Sequence, residues 1–261
     1  MPAQKLADRN AFTIDTGNLS KHIELMLKRH VNSSSELTAA FAKFAKDRDV
    51  NQNQLDFSSE PIALSSGDLG EFSKSSDIKT TLKLFLPTFS PEYAATAVRM
   101  ALEHLELSSL FQVILQFPEA QDEMDDPTWL AAVLGVWQPL EKLVDAGKIL
   151  YLGVSDIDLD RLRMLCEAAN EPPKIEHYSI DGCCTVPQEL VEYAKAHDIQ
   201  ILTHPDSRSF ELGDEFMAEG QKLLGDALLP FGPAWVARYT IWLNSRSVMA
   251  SKGYLVHFER K

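Results

Sequence analysis

The chain is short of cysteine, of positive charge and of long apolar runs, and each shortage excludes something. Three cysteines in 261 residues, an odd number, build no disulfide framework and fit a reducing cytosol. Lys and Arg number 25 against 38 Asp and Glu, a formal net charge of −13. Nucleic acid and anionic membranes both require a basic face, so neither is expected as a partner. No apolar run approaches the roughly 18 residues of a membrane-crossing helix. The opening MPAQKLADRN has no apolar stretch of a secretory leader, and a cytoplasmic location is expected. There is no G-x-G-x-x-G after the first strand and no G-x-x-x-x-G-K-[ST], the two best-known nucleotide signatures. The seven histidines form no H-E-x-x-H and no Cys/His cluster at ligand spacing, so no metal is expected.

What is present is ordinary globular material, 45% hydrophobic and 24% charged, enough for one large core. A single domain over residues 1–261 is expected, with a polar, serine-rich excursion at about 47–78. Asn18 to Lys28 reads as a short amphipathic helix, and Ser35 to Lys46 as another, with Leu37, Ala40, Phe41 and Phe44 on one stripe. From Thr80 the pattern alternates. Strands are predicted at Thr80–Leu86, Phe111–Phe117, Ile149–Val154, Ile175–Ile180 and Ile199–Thr203. Helices start at Ser90-Pro91, Asp126-Pro127, Asp158 and Pro187, and the second of these breaks or restarts at Pro139. A last helix is predicted from Trp235 to Leu243. Trp129 and Trp137, eight apart on one face, read as packing, as does Cys166. Asp122, Glu123, Asp125 and Asp126 read as a solvated loop. Alternating strands and helices imply βαβ units around a parallel sheet, open or closed into a barrel. The missing glycine signatures favour the barrel.

The segment Trp137-Gln-Pro-Leu-Glu-Lys-Leu-Val-Asp-Ala-Gly-Lys-Ile-Leu-Tyr-Leu-Gly-Val-Ser-Asp156 resembles the aldo-keto reductases, and the order of elements after it agrees. A narrower resemblance is carried by five blocks. These are Thr16-Gly-Asn-Leu19, Lys83-Leu-Phe-Leu86, Ser179-Ile-Asp-Gly-Cys-Cys-Thr-Val-Pro187, Ile199-Gln-Ile-Leu-Thr-His-Pro-Asp206, and Trp235-Val-Ala-Arg-Tyr239 followed by Ser251-Lys-Gly-Tyr254. Together they resemble the modifier (regulatory) subunits of glutamate–cysteine ligase. The resemblance implies an α/β aldo-keto-reductase-like (β/α)8 TIM barrel, its last unit complete or incomplete. It also implies a heterodimer with the ligase catalytic subunit, whose glutamate affinity rises and whose inhibition by glutathione is relieved. In that family Cys183 and Cys184 are candidates for an interchain disulfide.

The same resemblance lets the reductase chemistry be checked residue by residue. A reductase of this type needs an Asp, a Tyr as proton donor, a Lys and a His. Lys83 takes the Lys position and Gln116 the His position, while no tyrosine stands between Asp15 and Lys83. The positions that would hold a nicotinamide read Ser155, Asp156, Glu176, His177 and, where a tyrosine would stack, His204. The phosphate-gripping segment has no counterpart, and Arg260 sits on what reads as a free end. No cofactor and no catalysis are expected. An NADPH-dependent aldo-keto reductase is the alternative, and a barrel with some other binding role the third reading.

Overall fold

The computed structural model describes residues 6, 8–51, 55–65, 77–180, 185–206 and 210–261. Cys183 and Cys184 lie outside them. In chain order the elements are β1 (Ala11–Asp15), α1 (Ile23–Met26), α2 (Ser33–Asn51), β2 (Ile62–Ala63), β3 (Ile78–Phe85), α3 (Pro91–His104), β4 (Leu110–Gln116), α4 (Asp126–Asp145), β5 (Ile149–Ser155), α5 (Leu159–Ala168), β6 (Ile175–Ser179), α6 (Gln188–Ala196), β7 (Gln200–His204), α7 (Asp214–Leu224), β8 (Phe231–Leu243) and β9 (Val248–Arg260). They form two compact units, one of residues 1–78 and 211–261, the other of residues 79–210.

The second unit is the regular one. Strands β3, β4, β5, β6 and β7 run parallel, and each neighbours its successor in the chain. This is the βα succession of an aldo-keto-reductase-like barrel. The caps that set its helices fall where the sequence puts them for α3 and α5, and at Asp125, one residue before the expected Asp126, for α4. Ser90 Oγ accepts from the Tyr93 N–H at 3.2 Å with Pro91 next in line. Asp125 accepts from Thr128 and Asp158 from Arg161, both at 2.9 Å. Gly147, at a φ of 66°, lets the chain turn off α4 into β5. Strands β3, β4 and the carboxyl-terminal half of β5 are largely buried on both faces, as a parallel sheet under helices requires, while Gln200 and Thr203 of β7 are exposed. One row across the sheet is Leu84, Leu115, Val154, Glu176 and Ile201; the adjacent row, pointing the other way, is Phe85, Gln116, Ser155, His177 and Leu202.

Helix α4 runs unbroken through Pro139, contrary to the predicted break. The carbonyl that Pro139 leaves without a donor belongs to Gly135, which is exposed, so water can satisfy it. Trp129 and Trp137 are fully buried on the inner face, donating to Gln121 Oε1 at 3.1 Å and the Glu171 carbonyl at 2.9 Å. Within the acidic run, Asp125 is the cap just described and Asp126 pairs with Arg161 at 3.2 Å. Cys166 is only half-buried. Burial pushes its thiol up, against a hydrogen bond with Tyr193 that lowers it.

The first unit departs further from the sequence reading. Its strands lie in the order β2, β1, β9, β8, with β1 parallel to β2 and antiparallel to β9. The helix predicted over Trp235–Leu243 is instead part of β8, paired antiparallel with β9 along its length. Its Trp, Val, Tyr, Thr and Ile residues favour a pleated surface, and the pairing decides the matter. Arg260 is no free end: it lies in β9, donates to the Arg9 carbonyl at 3.0 Å and sits over the Phe231 ring. The predicted first helix is split by His22, whose extended backbone separates a 3-10 turn at Leu19–Lys21 from α1. Helix α2 carries Leu37, Ala40, Phe41 and Phe44 buried, as predicted. The polar stretch contributes β2, with Phe57 and Ile62 in the core.

Two of the sequence blocks interlock here. The Thr16 N–H donates to the Tyr254 carbonyl at 3.0 Å, and the Tyr254 N–H to Thr16 Oγ1 at 2.9 Å. Asn18 Nδ2 reaches the Ala250 carbonyl at 3.0 Å. A Cβ on Gly253 would stand 2.3 Å from both the Gly17 carbonyl oxygen and the Tyr239 hydroxyl. Only glycine permits that approach. The distant blocks Thr16-Gly-Asn-Leu19 and Ser251-Lys-Gly-Tyr254 are therefore one packing device.

Candidate functional site

The carboxyl ends of the parallel strands gather the polar residues of the second unit, where α/β sheets place their sites. Lys83 rises from β3. Gln116 and Ser155 end β4 and β5. His177 and Ser179 lie in β6, and His204 ends β7. All but Ser179 are buried. Asp156 follows β5 with a φ of 61°, a left-handed turn that Asp tolerates better than most.

These side chains hold one another. Lys83 Nζ donates to Asp206 Oδ2 at 3.1 Å, with each side chain 1% exposed, and lies 3.4 Å from His204 Nδ1. The Asp206 N–H donates to that same Nδ1 at 3.1 Å. Nδ1 is thus an acceptor, which puts the ring proton on Nε2. Nε2 faces Asp156 Oδ2 at 3.1 Å, the His177 carbonyl at 3.0 Å and Ser155 Oγ at 3.1 Å. Ser155 Oγ donates to Asp156 Oδ2 at 2.9 Å, and the Ser179 N–H to Asp156 Oδ1 at 2.6 Å. Burial alone would lift the Asp156 carboxyl. The His204 hydrogen bond, the Lys83 charge and the Ser179 N–H outweigh it and hold the group below its ordinary value. The His177 and His204 rings stand 4.2 Å apart.

Of the residues singled out by sequence, Lys83, Ser155, Asp156, His177 and His204 fall in this network, and Gln116 adjoins Ser155 in strand register. Glu176 does not join them. Neighbours on a strand point to opposite faces, so Glu176 shares the row of Leu115 and Val154. It is fully buried there with no well-formed hydrogen bond to either carboxyl oxygen; the Asp156 and Ile157 N–H groups and the Lys83 charge favour its ionised form without outweighing burial. Burial first, then the Asp156 charge, pushes its carboxyl well above the ordinary range. Asp206 and Ser179 were missed, although both stand inside quoted blocks. A lysine predicted in a buried strand needs a counter-ion, and that was the signal for Asp206.

In the first unit, Asp15 Oδ1 accepts from the Tyr239 hydroxyl and the Gly17 N–H, each at 3.0 Å. Burial, then the Asp15 charge, pushes the Tyr239 phenol well above its ordinary value. A proton donor tuned to neutral pH would be shifted the other way. Among the described residues no group of three or more His, Cys, Asp or Glu could hold a metal ion, and no helix is long and apolar enough to cross a membrane.

The chain belongs to the aldo/keto reductase family, whose model matches residues 70–205, just over half of it. An aldo/keto reductase of Synechocystis sp. is 27% identical over 167 residues, 60% of this chain and 50% of that one. The crystal structure of MGS-M4, an aldo-keto reductase enzyme from a Medee basin deep-sea metagenome library, is 22% identical with a TM-score of 0.38, over 47% of this chain and 42% of that one. The glutamate–cysteine ligase regulatory subunit of Rattus norvegicus is 32% identical over 187 residues, 71% of this chain and 68% of its own. Within the reductase family, the chain therefore falls among the glutamate–cysteine ligase regulatory subunits.

Proposed function

We propose that this chain is a non-catalytic regulator of glutathione synthesis: it binds the catalytic subunit of glutamate–cysteine ligase, raises its affinity for glutamate and relieves inhibition by glutathione. The observation that carries the reading is the likeness to a regulatory subunit over 71% of the chain. The interlocked blocks at Thr16–Leu19 and Ser251–Tyr254 support it, because they belong to the narrower resemblance and not to reductases at large.

The nicotinamide of the reductases does not fit this reading. A carboxamide would need free donors and acceptors at Ser155, Asp156 and His204, yet these are buried and bonded to one another. The lysine that would lower the pKa of a reductase tyrosine is paired with Asp206, and no tyrosine precedes it back to Asp15. Regulation needs only preferential binding to one conformation of the partner. A coupling of about 1–3 kcal/mol shifts affinity roughly 5–150-fold.

The test is ligase kinetics of the catalytic subunit with and without this chain, across glutamate and glutathione concentrations. A lower glutamate KM with weaker glutathione inhibition is expected. Unchanged kinetics at micromolar concentrations of both proteins would refute the proposal, and an NADPH titration would then decide for the reductase.

A further inference from the structure

The segment from Leu19 to Val31 departs from the rest of an acidic chain. Lys21, Lys28 and Arg29 are exposed, and the one acid, Glu24, is engaged by Lys43 of α2 at 3.1 Å. Between these charges stand the most exposed large apolar side chains of this region: Ile23 at 69%, Met26 at 50%, Leu27 at 80% and Val31 at 70%. Scattered apolar residues on a surface are ordinary, but four within nine positions are not. Ile23, Met26 and Leu27 share one face at helical spacing.

The segment is also held in place. Leu25 is buried, the His22 ring meets Phe44 edge-on at 5.2 Å, and the His30 ring reaches the Leu25 carbonyl at 3.0 Å. Its inner side is anchored on α2, so the outward display of the other side is built in and not the fraying of a loose end. An apolar strip flanked by cations fits the core and rim of a protein interface.

We propose that this face docks the ligase catalytic subunit, on an apolar surface of that partner bordered by Asp and Glu. The inference rests on the regulatory reading and adds the interface to it. Charge selects the occupant. Locally there are three cations to one acid, and an acidic rim complements them. A second copy docking by two-fold symmetry would set these same cations against one another, and the chain's net charge of −13 repels an anionic bilayer.

The experiment uses the full chain and immobilised catalytic subunit. Three variants are compared with the unmodified protein: Ile23→Ser/Leu27→Ser, Lys28→Glu/Arg29→Glu, and Leu150→Ser, an apolar residue 54% exposed in the other unit. All four proteins should melt alike, because the replaced side chains are exposed. The serine pair should weaken binding at least about tenfold. The charge reversal should slow association and remove its salt dependence, and Leu150→Ser should change neither. If the unmodified chain binds and both double variants bind within about twofold of it, the inference is overturned while the regulatory reading stands. If the unmodified chain does not bind, both fall. Self-association in sedimentation, or flotation with phosphatidylserine-containing vesicles, abolished by the serine pair would also overturn it, by assigning the face to that occupant.

Discussion

Replacing Glu176 by methionine should stabilise the protein, and increasingly so as pH rises. Glu176 lies in β6 on the row of Leu84, Leu115, Val154 and Ile201, fully buried, with no well-formed hydrogen bond to either carboxyl oxygen and only the Asp156 and Ile157 N–H groups favouring its charge from the backbone. A buried polar group without a partner costs about 1–3 kcal/mol, and methionine matches its length without that cost. For a protein of this size about 2–4 °C of melting temperature accompanies each kcal/mol, so a rise of roughly 5 °C is expected near neutral pH. Burial and then the Asp156 charge push the carboxyl well above its ordinary value in the folded state. The unfolded chain ionises it at the ordinary glutamate value. Stability from this group is therefore fully present below that value. It is lost as pH climbs towards the folded value, at about 1.4 kcal/mol per pH unit. Denaturant melts of the unmodified chain, Glu176→Gln and Glu176→Met from pH 5 to 8 would show the curves diverging with pH, because neither variant can ionise. Parallel curves, or a methionine variant less stable throughout, would refute the claim that the carboxyl is buried without a well-formed hydrogen bond.

Asp206→Asn should cost about 3–5 kcal/mol, since it leaves the Lys83 ammonium buried without its counter-ion; denaturant unfolding measures it. Gly253→Ala should destabilise by about 1–3 kcal/mol, because the new methyl meets a backbone oxygen and the Tyr239 hydroxyl at 2.3 Å. A milder loss of about 1 kcal/mol is expected for Ser90→Ala, which removes the cap of α3. Mixed with the catalytic subunit and oxidised glutathione, the chain should give a cross-linked band on a non-reducing gel that Cys183→Ser/Cys184→Ser abolishes.

The second unit was legible because its local signals agree with its tertiary structure. Ser90-Pro91, Asp158 and Gly147 mark ends that the backbone then observes, with the cap of α4 falling at Asp125, one residue before the expected Asp126, and the strands between them are short and apolar. The first unit was not, because its pairing is non-local. Nothing near Trp235 announces that Phe231–Leu243 will lie along Val248–Arg260, and large apolar residues without turn signals read equally well as a helix. Pro139 misled for the opposite reason, since a local breaker is harmless where the orphaned carbonyl of Gly135 faces water. Within the candidate site, Lys83, Ser155, Asp156 and His204 were visible by resemblance. Glu176 and His177 are neighbours in sequence, but strand alternation sends their side chains to opposite faces.

The buried cluster itself argues about what kind of protein this is. An ion pair with both partners 1% exposed, such as Lys83 with Asp206, is a weak source of stability, because desolvation offsets most of the attraction. Apolar residues of similar volume often do as well or better. Stability alone therefore does not account for a lysine, two histidines and two aspartates at one end of a parallel sheet. Membership of the reductase family does: the architecture places such groups at the carboxyl ends of the strands. Here Lys83, Asp156, His204 and Asp206 are bonded to one another, which stiffens that end of the sheet. On this view Lys83→Met combined with Asp206→Leu should be far less destabilising than the sum of the two single changes, and it should leave regulation of the ligase intact. Loss of regulation by a stably folded double variant would mean that the partner, or a ligand, reads these charges directly.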